Sequence, residues 1–260
     1  MRIAAVQIRS SSDTVDNLAK VEHWARKAVE TGADLLVFPE ATMKAFGTGR
    51  LDTCAESIDG PFATRVRELA ESLGVIIVLG MFSPADEWKG KRRIYNTALI
   101  TGPGIHRGYR KIHTYDAFGF MESDTVKPGE ETVTFECGDV TVGVAVCFDV
   151  RFPEQFKVLA MDGAQVIVLP ASWSGGPGKT EQWQLLTAAR ALDSTSYVVA
   201  CDQAAPDGED PGGAPVGVGH SAIIGPTGVP IVTAGTAEEI IYADVDVAHV
   251  AEVRDSIPVL

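Results

Sequence analysis

Cys147 occupies a position where a thiol could act as a nucleophile. It lies in the stretch Val142-Gly-Val-Ala-Val-Cys-Phe-Asp-Val-Arg-Phe-Pro-Glu154, in which residues 142–146 indicate a short apolar strand followed by a sharp connection. In open α/β proteins, ligands bind outside the carboxyl ends of strands, where backbone N–H groups lie close to the substrate. A buried core position is the alternative, because free cysteine is among the most buried residue types.

Two further residues have side chains that would complement such a thiol. Glu40 directly follows a predicted strand over Asp34–Phe38, behind Pro39, so its carboxylate is expected at the same strand edge as Cys147. Free cysteine is only a few per cent thiolate at neutral pH and a neighbouring acid reduces that fraction, so Glu40 would act as a general base. Lys111 would stabilise the oxyanion that forms when sulfur attacks a carbonyl or nitrile carbon. Taken singly, each of these two charges would normally be a solvated surface residue.

The elements that would position these residues are indicated by hydrophobic spacing and by helix caps. Apolar residues recur at helical spacing after Asp13, which with Ser12 is a candidate cap, and Gly32 can close this helix. Pro61 would begin a second helix, and Pro153 would begin a helix after Cys147. The strands predicted in the first half are Arg2–Ile8, Asp34–Phe38, Val75–Leu79, and the two arms of a hairpin, Ile94–Ile100 and Ile105–Tyr109.

The second half of the chain repeats the plan of the first. Three pairs of segments match in residue class and in order: Gly32–Pro39 with Gly163–Pro170, Leu73–Leu79 with Ser196–Cys201, and Thr97–Pro103 with Ser221–Thr227. Two β-α-β-α-β-β halves predict an α/β protein, a four-layer αββα sandwich with an internal two-fold repeat, formed as a single domain over residues 1–260. The alternative is that the residues that bound these strands match by chance. Asp207–Pro215, rich in Gly, Pro and acids, is expected to be an exposed loop.

Composition excludes several classes of partner. The chain has 260 residues, 45% of them hydrophobic, and a formal net charge of −13 without any Lys/Arg run, which argues against nucleic acid and anionic membranes as partners. No apolar run approaches the ~20 residues that span a bilayer, and no signal peptide is indicated. The four cysteines form no C-x-x-C pair, so a reducing, cytoplasmic location is expected.

Phe38-Pro-Glu40, Tyr109-Arg-Lys-Ile-His113 and Val146-Cys-Phe-Asp-Val-Arg-Phe-Pro-Glu154 together resemble, in this order, the three signatures of the nitrilase superfamily, the carbon–nitrogen hydrolases. Three shorter stretches add to the resemblance: Asn96-Thr-Ala98, Ala171-Ser-Trp173 and the Gly-Pro-Thr-Gly hairpin near the end. The resemblance covers nearly the whole chain. It implies that Glu40 is the general base, Lys111 the oxyanion stabiliser and Cys147 the nucleophile. It also implies the αββα fold and assembly as a homodimer or a higher homo-oligomer.

Glu122, in Phe120-Met-Glu-Ser-Asp124, looks like the superfamily's second glutamate, which positions the lysine and the substrate. Within the superfamily the chain is most similar to ω-amidases and related short-chain amidases, although its segment Asp116–Glu122 is shorter than their pocket loop. This implies hydrolysis of a small amide, bearing a carboxylate, to acid and ammonia through a cysteine thioester, with no metal or organic cofactor. The backbone N–H of Phe148 would help to hold the oxyanion. Trp173 would shape the pocket or serve a purely structural role.

Other functions remain open at this point. A nitrilase acting on a small nitrile would use the same three residues, so their identity does not separate it from an amidase. A redox-active thiol is less favoured, because no resolving cysteine lies within a few residues of Cys147. A binding module would not need this combination of Glu, Lys and Cys. A serine hydrolase is disfavoured because Gly219-His-Ser-Ala222 lacks the G-x-S-x-G elbow.

Overall fold

The computed structural model describes residues 1–117, 119–206, 208 and 215–260, with the backbone alone described at Phe120. The loop predicted over Asp207–Pro215 lies almost wholly outside these residues. No helix within the described part of the chain is both long and apolar enough to span a bilayer.

The helices of the first half agree with the local signals in the sequence. In chain order the elements of this half are β1 (Arg2–Gln7), α1 (Thr14–Val29), β2 (Leu35–Val37), α2 (Pro61–Leu73), β3 (Ile76–Trp88), β4 (Lys91–Gly102), β5 (Ile105–Arg110), β6 (Asp116–Ala117) and β7 (Phe120–Met121). The Asp13 side chain caps α1 by accepting hydrogen bonds from the backbone N–H groups of Val15 and Asp16. Pro61 begins α2, and Gly74 ends it with φ 69°, a left-handed conformation that favours glycine.

The second half contains the same kinds of element. They are β8 (Val133–Cys137), β9 (Val140–Val144), α3 (Pro153–Met161), β10 (Val166–Ala171), α4 (Lys179–Ser194), β11 (Tyr197–Asp202), β12 (Ala222–Ile224), β13 (Pro230–Thr233), β14 (Glu239–Asp244) and α5 (Val247–Ser256). Short 3-10 turns follow β7 at Glu122–Asp124 and β9 at Cys147–Arg151.

Two six-stranded mixed sheets confirm the predicted α/β sandwich and its two-fold repeat. One sheet has the order β14-β1-β2-β3-β4-β5, and the other has the order β13-β12-β11-β10-β9-β8. Strands β1, β2 and β3 are parallel, as are β9, β10 and β11, whereas the outer strands of each sheet are antiparallel. The helices α1 and α2 connect the parallel strands of the first sheet, and α3 and α4 connect those of the second. Each half therefore places the carboxyl ends of three parallel strands at one edge.

Alternating residues of the first sheet enter different parts of the core. Ile3 and Ala5 of β1 belong to the large core cluster that also contains the inward residues of the second sheet. Ala4 and Val6, on the opposite face, pack with the buried side of α1 and α2. Parallel strands buried on both faces have apolar residues at nearly every position, which explains the continuous apolar runs of the sequence.

Several strands differ from the sequence expectation. The third strand, predicted over Val75–Leu79, continues to Trp88 and pairs with β4 through an irregularity between Pro84 and Glu87. A proline is accommodated at such a bulge because the ladder is interrupted there. The strand β14 was not predicted; it leaves the second half of the chain and pairs antiparallel with β1 of the first sheet.

Candidate active site

Strand ends bring the candidate residues together from both halves of the fold. Glu40 follows β2, Lys111 follows β5, and Cys147 follows β9. Ala41 and Cys147 both have a positive φ, 58° and 46°, so the chain turns sharply beside each of these strand ends. A non-glycine residue in this conformation is uncommon and requires support from its surroundings.

Asp149 supplies that support at Cys147. Its buried carboxylate accepts hydrogen bonds from the backbone N–H of Val146 (2.8 Å), the backbone N–H of His113 (3.0 Å) and the hydroxyl of Tyr109 (2.7 Å). Tyr109 and His113 flank Lys111 in the sequence, so this one carboxylate joins the lysine segment of the first sheet to the cysteine turn of the second. No role for Asp149 was predicted from the sequence.

Lys111 lies between two carboxylates. Its Nζ is 3.2 Å from Oε1 of Glu40, and 3.2 Å and 3.0 Å from the two carboxylate oxygens of Glu122. All three side chains are buried: their residues are 2%, 1% and 6% exposed, respectively. Burial alone would lower the pKa of Lys111, but the charges of Glu122 and Glu40 more than offset it and hold the pKa well above its ordinary value. The Lys111 side chain is therefore protonated and carries a positive charge.

Glu40 is held by donors from three different segments. Besides Lys111, the side-chain amide of Asn96 donates to its Oε1 (2.7 Å), and the backbone N–H of Ser172 donates to its Oε2 (2.9 Å). Burial raises the pKa of Glu40, Lys111 opposes the rise, and the charge of Glu122 adds to it. A carboxylate with a raised pKa is a stronger base than an ordinary carboxylate, so it accepts a proton more readily.

The thiol of Cys147 is buried and un-ionised. Its Sγ contacts the carbonyl oxygen of Ser172 at 3.9 Å, and the residue is 8% exposed. Burial, followed by the negative charge of Glu40, raises its pKa well above the ordinary value, and Lys111 only partly opposes this. The neutral thiol must therefore lose its proton to a neighbouring base if the sulfur is to attack a substrate.

One cavity of about 510 Å³ connects these groups. All six residues selected from the sequence line it: Glu40, Lys111, Glu122, Cys147, Phe148 and Trp173. Phe46 and Tyr115 contribute further apolar walls, and Arg151 contributes a further charge. The cavity is mainly apolar with a few charged groups. The arrangement suits attack of a thiol on a small carbonyl compound beside a fixed positive charge.

The two aromatic candidates form different parts of the wall. Phe148 is half-buried and lies edge-on to Tyr115, with the ring centroids 5.0 Å apart. Trp173 is buried; its indole N–H donates to the carbonyl oxygen of Lys179 (2.9 Å), and its backbone N–H donates to Asp202 (2.8 Å). Trp173 thus has structural contacts in addition to its place in the cavity wall.

Besides Asp149, three further polar residues near the site were not recognised as such in the sequence. Asn96 and Ser172 belong to the short motifs noted there, but nothing in the sequence indicated that both contact Glu40. Asp202 ends β11 and accepts hydrogen bonds from the backbone N–H groups of Trp173 and Val218 (2.7 Å for Val218). Burial raises its pKa to about 7. The sequence feature that could have identified Asp202 is its position as a polar residue at the end of an apolar strand.

No group of three or more His, Cys, Asp or Glu side chains within the described ranges is arranged to hold a metal ion. The position between Glu40 and Glu122 is occupied by the lysine ammonium.

Comparisons with known proteins give consistent matches over the whole chain. A model of the carbon-nitrogen hydrolase family matches residues 2–255. The protein "Hydrolase Rv0480c" of Mycobacterium tuberculosis is 48% identical over 269 residues, covering 100% of this chain and 94% of the relative. The "Omega-amidase NIT2" of Danio rerio is 34% identical, covering 99% of this chain and 92% of the relative.

Two solved structures have the same fold. Nit3 of Saccharomyces cerevisiae, a member of branch 10 of the nitrilase superfamily, superimposes with a TM-score of 0.85 at 28% identity, covering 99% of this chain and 94% of that one. A glutamate-to-glutamine mutant of the amidase from Nesterenkonia sp. AN1 has a TM-score of 0.78 at 26% identity, with coverages of 99% and 98%. That amidase structure shows the result of Michael addition of acrylamide at its active-site cysteine.

Proposed function

Because this chain belongs to the carbon–nitrogen hydrolase family, we propose that it is an amidase that hydrolyses a small amide to a carboxylic acid and ammonia. The observation that carries the proposal is the charged Lys111 beside Glu40 and Glu122, in the same cavity as the thiol of Cys147. Similarity to ω-amidases and to a bacterial amidase supports the choice of an amide as substrate.

The proposed first half-reaction forms a thioester. Glu40 takes the proton of Cys147 as the sulfur attacks the amide carbon, and Lys111 with the backbone N–H of Phe148 stabilises the oxyanion. The tetrahedral intermediate collapses when the C–N bond breaks. Glu40 gives its proton to the departing nitrogen, and ammonia leaves.

The second half-reaction releases the acid. Water attacks the thioester carbon while Glu40 accepts one of its protons, and the same two donors hold the second oxyanion. The C–S bond then breaks, the acid leaves, and the proton returns from Glu40 to the sulfur of Cys147. One water is consumed for each amide bond cleaved. The raised pKa values of Glu40 and Cys147 suit this cycle, because the thiol stays neutral until substrate is present.

We infer that the amide also bears a carboxylate, as in the ω-amidase-like branch. The guanidinium of Arg151 lines the cavity and lies over the rings of Trp173 (5.3 Å) and Phe148 (5.8 Å). Arginine binds carboxylates through two parallel N–H groups, so it is suited to the distal end of such a substrate. This local cation supports an anionic substrate even though the whole chain carries a charge of −13.

An ammonia-release screen over matched amides and nitriles tests the proposal. Succinamate carries a terminal carboxylate, butyramide lacks it, and the corresponding nitriles report a nitrilase. We expect release from succinamate, slower release from butyramide, none from the nitriles, and complete loss of activity in Cys147→Ala. Cys137→Ala, which removes a buried thiol at the end of β8, is the matched control and should retain activity. Release from nitriles alone, or undiminished activity in Cys147→Ala, would overturn the proposal.

A further inference from the structure

Asn96 contacts three of the charged residues of the site. It lies on β4 and is 1% exposed. Its Nδ2 donates to Oε1 of Glu40 at 2.7 Å and lies 3.5 Å from Oε1 of Glu122. Its backbone carbonyl accepts a hydrogen bond from the backbone N–H of Lys111 at 2.9 Å. One asparagine therefore links both carboxylates to the strand end that carries the lysine.

The amide of Asn96 is oriented at a cost to folding. Its Oδ1 is buried and has no hydrogen-bond partner among the described residues. Turning the amide over would direct Oδ1 at the carboxylate of Glu40 and leave the two N–H donors unpaired, which is worse. A buried acceptor without a partner destabilises the folded state. The orientation of the amide is therefore set by the Glu40 carboxylate, to which its N–H donates at 2.7 Å.

The charge balance of the cluster shows what an uncharged donor contributes at this position. Glu40 and Glu122 carry two negative charges, and Lys111 supplies one positive charge, so the cluster has an excess of one negative charge. A second cation at the position of Asn96 would balance it, but it would also lower the pKa of Glu40 further and so weaken it as a base. An uncharged amide donor stabilises the carboxylate of Glu40 without adding a charge. Its hydrogen bond opposes the rise in the pKa of Glu40 that burial causes.

We propose that Asn96 is a positioning residue that keeps Glu40 ionised and aimed at Cys147, so that the base is ready to accept the thiol proton. The inference rests on the proposed role of Glu40 as general base. Asn96 does not line the cavity, so it acts through Glu40 and not by touching the substrate.

The test measures how the reactivity of Cys147 depends on pH. Iodoacetamide alkylates the thiol: a C–S bond forms, the C–I bond breaks, iodide leaves, and Glu40 accepts the thiol proton. The rate should fall at low pH as Glu40 becomes protonated. In Asn96→Ala this acid limb should move up by about one to two pH units, which is the effect of losing a hydrogen bond to a charged group. At a pH below the acid limb of the wild type, the alkylation rate of Asn96→Ala should be at least about tenfold lower than that of the wild type.

Asn96→Asp provides a nearly isosteric second variant in case the alanine variant fails to fold. It places another carboxylate beside Glu40, so it should move the acid limb in the same direction. Thr97→Val is the matched control, because Thr97 is the next residue on β4, faces the other side of the sheet and hydrogen-bonds Ser83 at 2.8 Å. It loses one buried hydrogen bond without altering the site, and its profile should coincide with that of the wild type.

An acid limb that stays in place in either folded Asn96 variant would overturn the inference. Amide hydrolysis, measured in parallel, should show a fall in kcat with little change in KM. Alkylation requires no amide turnover, so the two proposals can fail separately. A shifted alkylation limb in a protein that hydrolyses no amide would sustain the role of Asn96 and remove the proposed activity.

Discussion

At the scale of single residues, the buried ammonium of Lys111 controls the electrostatics of the cavity. A lysine buried without partners loses its proton readily, because burial disfavours the charged form. Here Glu40 and Glu122 approach within 3.2 Å and 3.0 Å and keep it charged. Since Glu40 is also the proposed base and would spend part of each cycle protonated, we expect Glu122 to be the carboxylate that holds the ammonium throughout.

Glu122→Gln tests that assignment. The amide keeps the shape of the side chain but loses its charge, so Lys111 should be less well fixed and oxyanion stabilisation weaker. We expect kcat/KM to fall on the order of 10²-fold, equivalent to about 2.7 kcal/mol. Glu122→Asp should also be poor, since shortening the side chain moves the carboxylate by ~1 Å. Steady-state kinetics with thermal melts give the measurement.

Asp124→Asn is the matched control for this prediction. Asp124 lies in the same 3-10 turn, but its side chain is exposed and lies 3.9 Å from Lys91. An exposed pair at this distance contributes little, so turnover should be unchanged. Near-wild-type turnover in folded Glu122→Gln would remove Glu122 from the site.

The residues with reactive side chains could be identified from the sequence, whereas the residues that hydrogen-bond to them could not. Glu40, Lys111 and Cys147 each follow a strand, and Glu122 sits in a recognisable motif, so their proximity could be predicted; their catalytic roles stay predictions. The contacts of Asn96 and Asp149 could not be predicted. They join residues 56 and 40 positions apart, and no local pattern records which side chain a buried amide or carboxylate will meet.

At the scale of elements, β3 fixes the turn that carries Glu40. The backbone N–H of Gly80 donates to the carbonyl of Pro39 (3.0 Å), and its carbonyl accepts from the N–H of Met43 (2.9 Å). A Cβ at Gly80 would lie 2.4 Å from the backbone nitrogen of Ala41 and 2.7 Å from Cα of Glu40. Only glycine allows the two segments to approach this closely.

Gly80→Ala should therefore displace Glu40. The methyl group would meet backbone atoms that cannot rotate away, so we expect a loss of about 1–3 kcal/mol in the free energy of unfolding. Displacement of the proposed base Glu40 by ~1 Å should lower kcat/KM by about 10²-fold. Denaturant unfolding and steady-state kinetics measure the two effects.

Gly225→Ala is the comparison for that variant. The nearest atom to its Cβ would be 3.6 Å away, an ordinary contact, so both stability and activity should change little. If Gly80→Ala behaved in the same way as Gly225→Ala, the close approach of β3 to the Glu40 turn would have no functional importance.

Elements with local end signals were predicted well, and edge strands were not. The helix expected after Asp13 runs over Thr14–Val29, because a cap and a glycine mark its ends within the sequence. By contrast, β14 is an outer strand with alternating burial, in which Ile241 is buried and Tyr242 is exposed. Such a segment becomes a strand because a partner lies beside it, and its sequence does not identify that partner.

At the scale of the whole molecule, the site requires both halves of the repeat. Glu40 and Lys111 come from the first sheet, whereas Cys147 and Ser172 come from the second. The repeat could be recognised in sequence because glycine and proline residues recur at matching places around the buried strands.

Assembly as a homodimer stays a prediction. Exposed apolar side chains on α3 and α4, among them Met161 and Leu185, are surfaces that a second copy would cover.

Asp202 should make the stability of the whole fold depend on pH. Its folded pKa is about 7 because the carboxyl group is buried, whereas an unfolded aspartate titrates near ~3.9. Between these values the folded chain binds a proton that the unfolded chain does not. The free energy of unfolding should therefore decrease as pH rises from about 4 to 7, by up to roughly 4 kcal/mol from this group.

Asp202→Asn cannot take part in this titration. Its unfolding free energy, measured with denaturant at several pH values between 5 and 8, should have a smaller negative slope than that of the wild type. The burial of Glu40 raises its pKa as well, so a residual slope is expected in the variant. Equal slopes in the two proteins would contradict the assignment of the proton to Asp202.

The pairing of β14 with β1 also affects how the protein is made. Arg2 lies opposite Asp244, and the two side chains form an ion pair across 242 positions of sequence. At ordinary rates of translation, β1 leaves the ribosome on the order of tens of seconds before its outer neighbour exists. During that interval β1 has an unpaired backbone edge, the kind of surface on which nascent chains aggregate. The first sheet can be completed only after residues 239–244 have been synthesised, so chaperone demand should be greatest for this early strand.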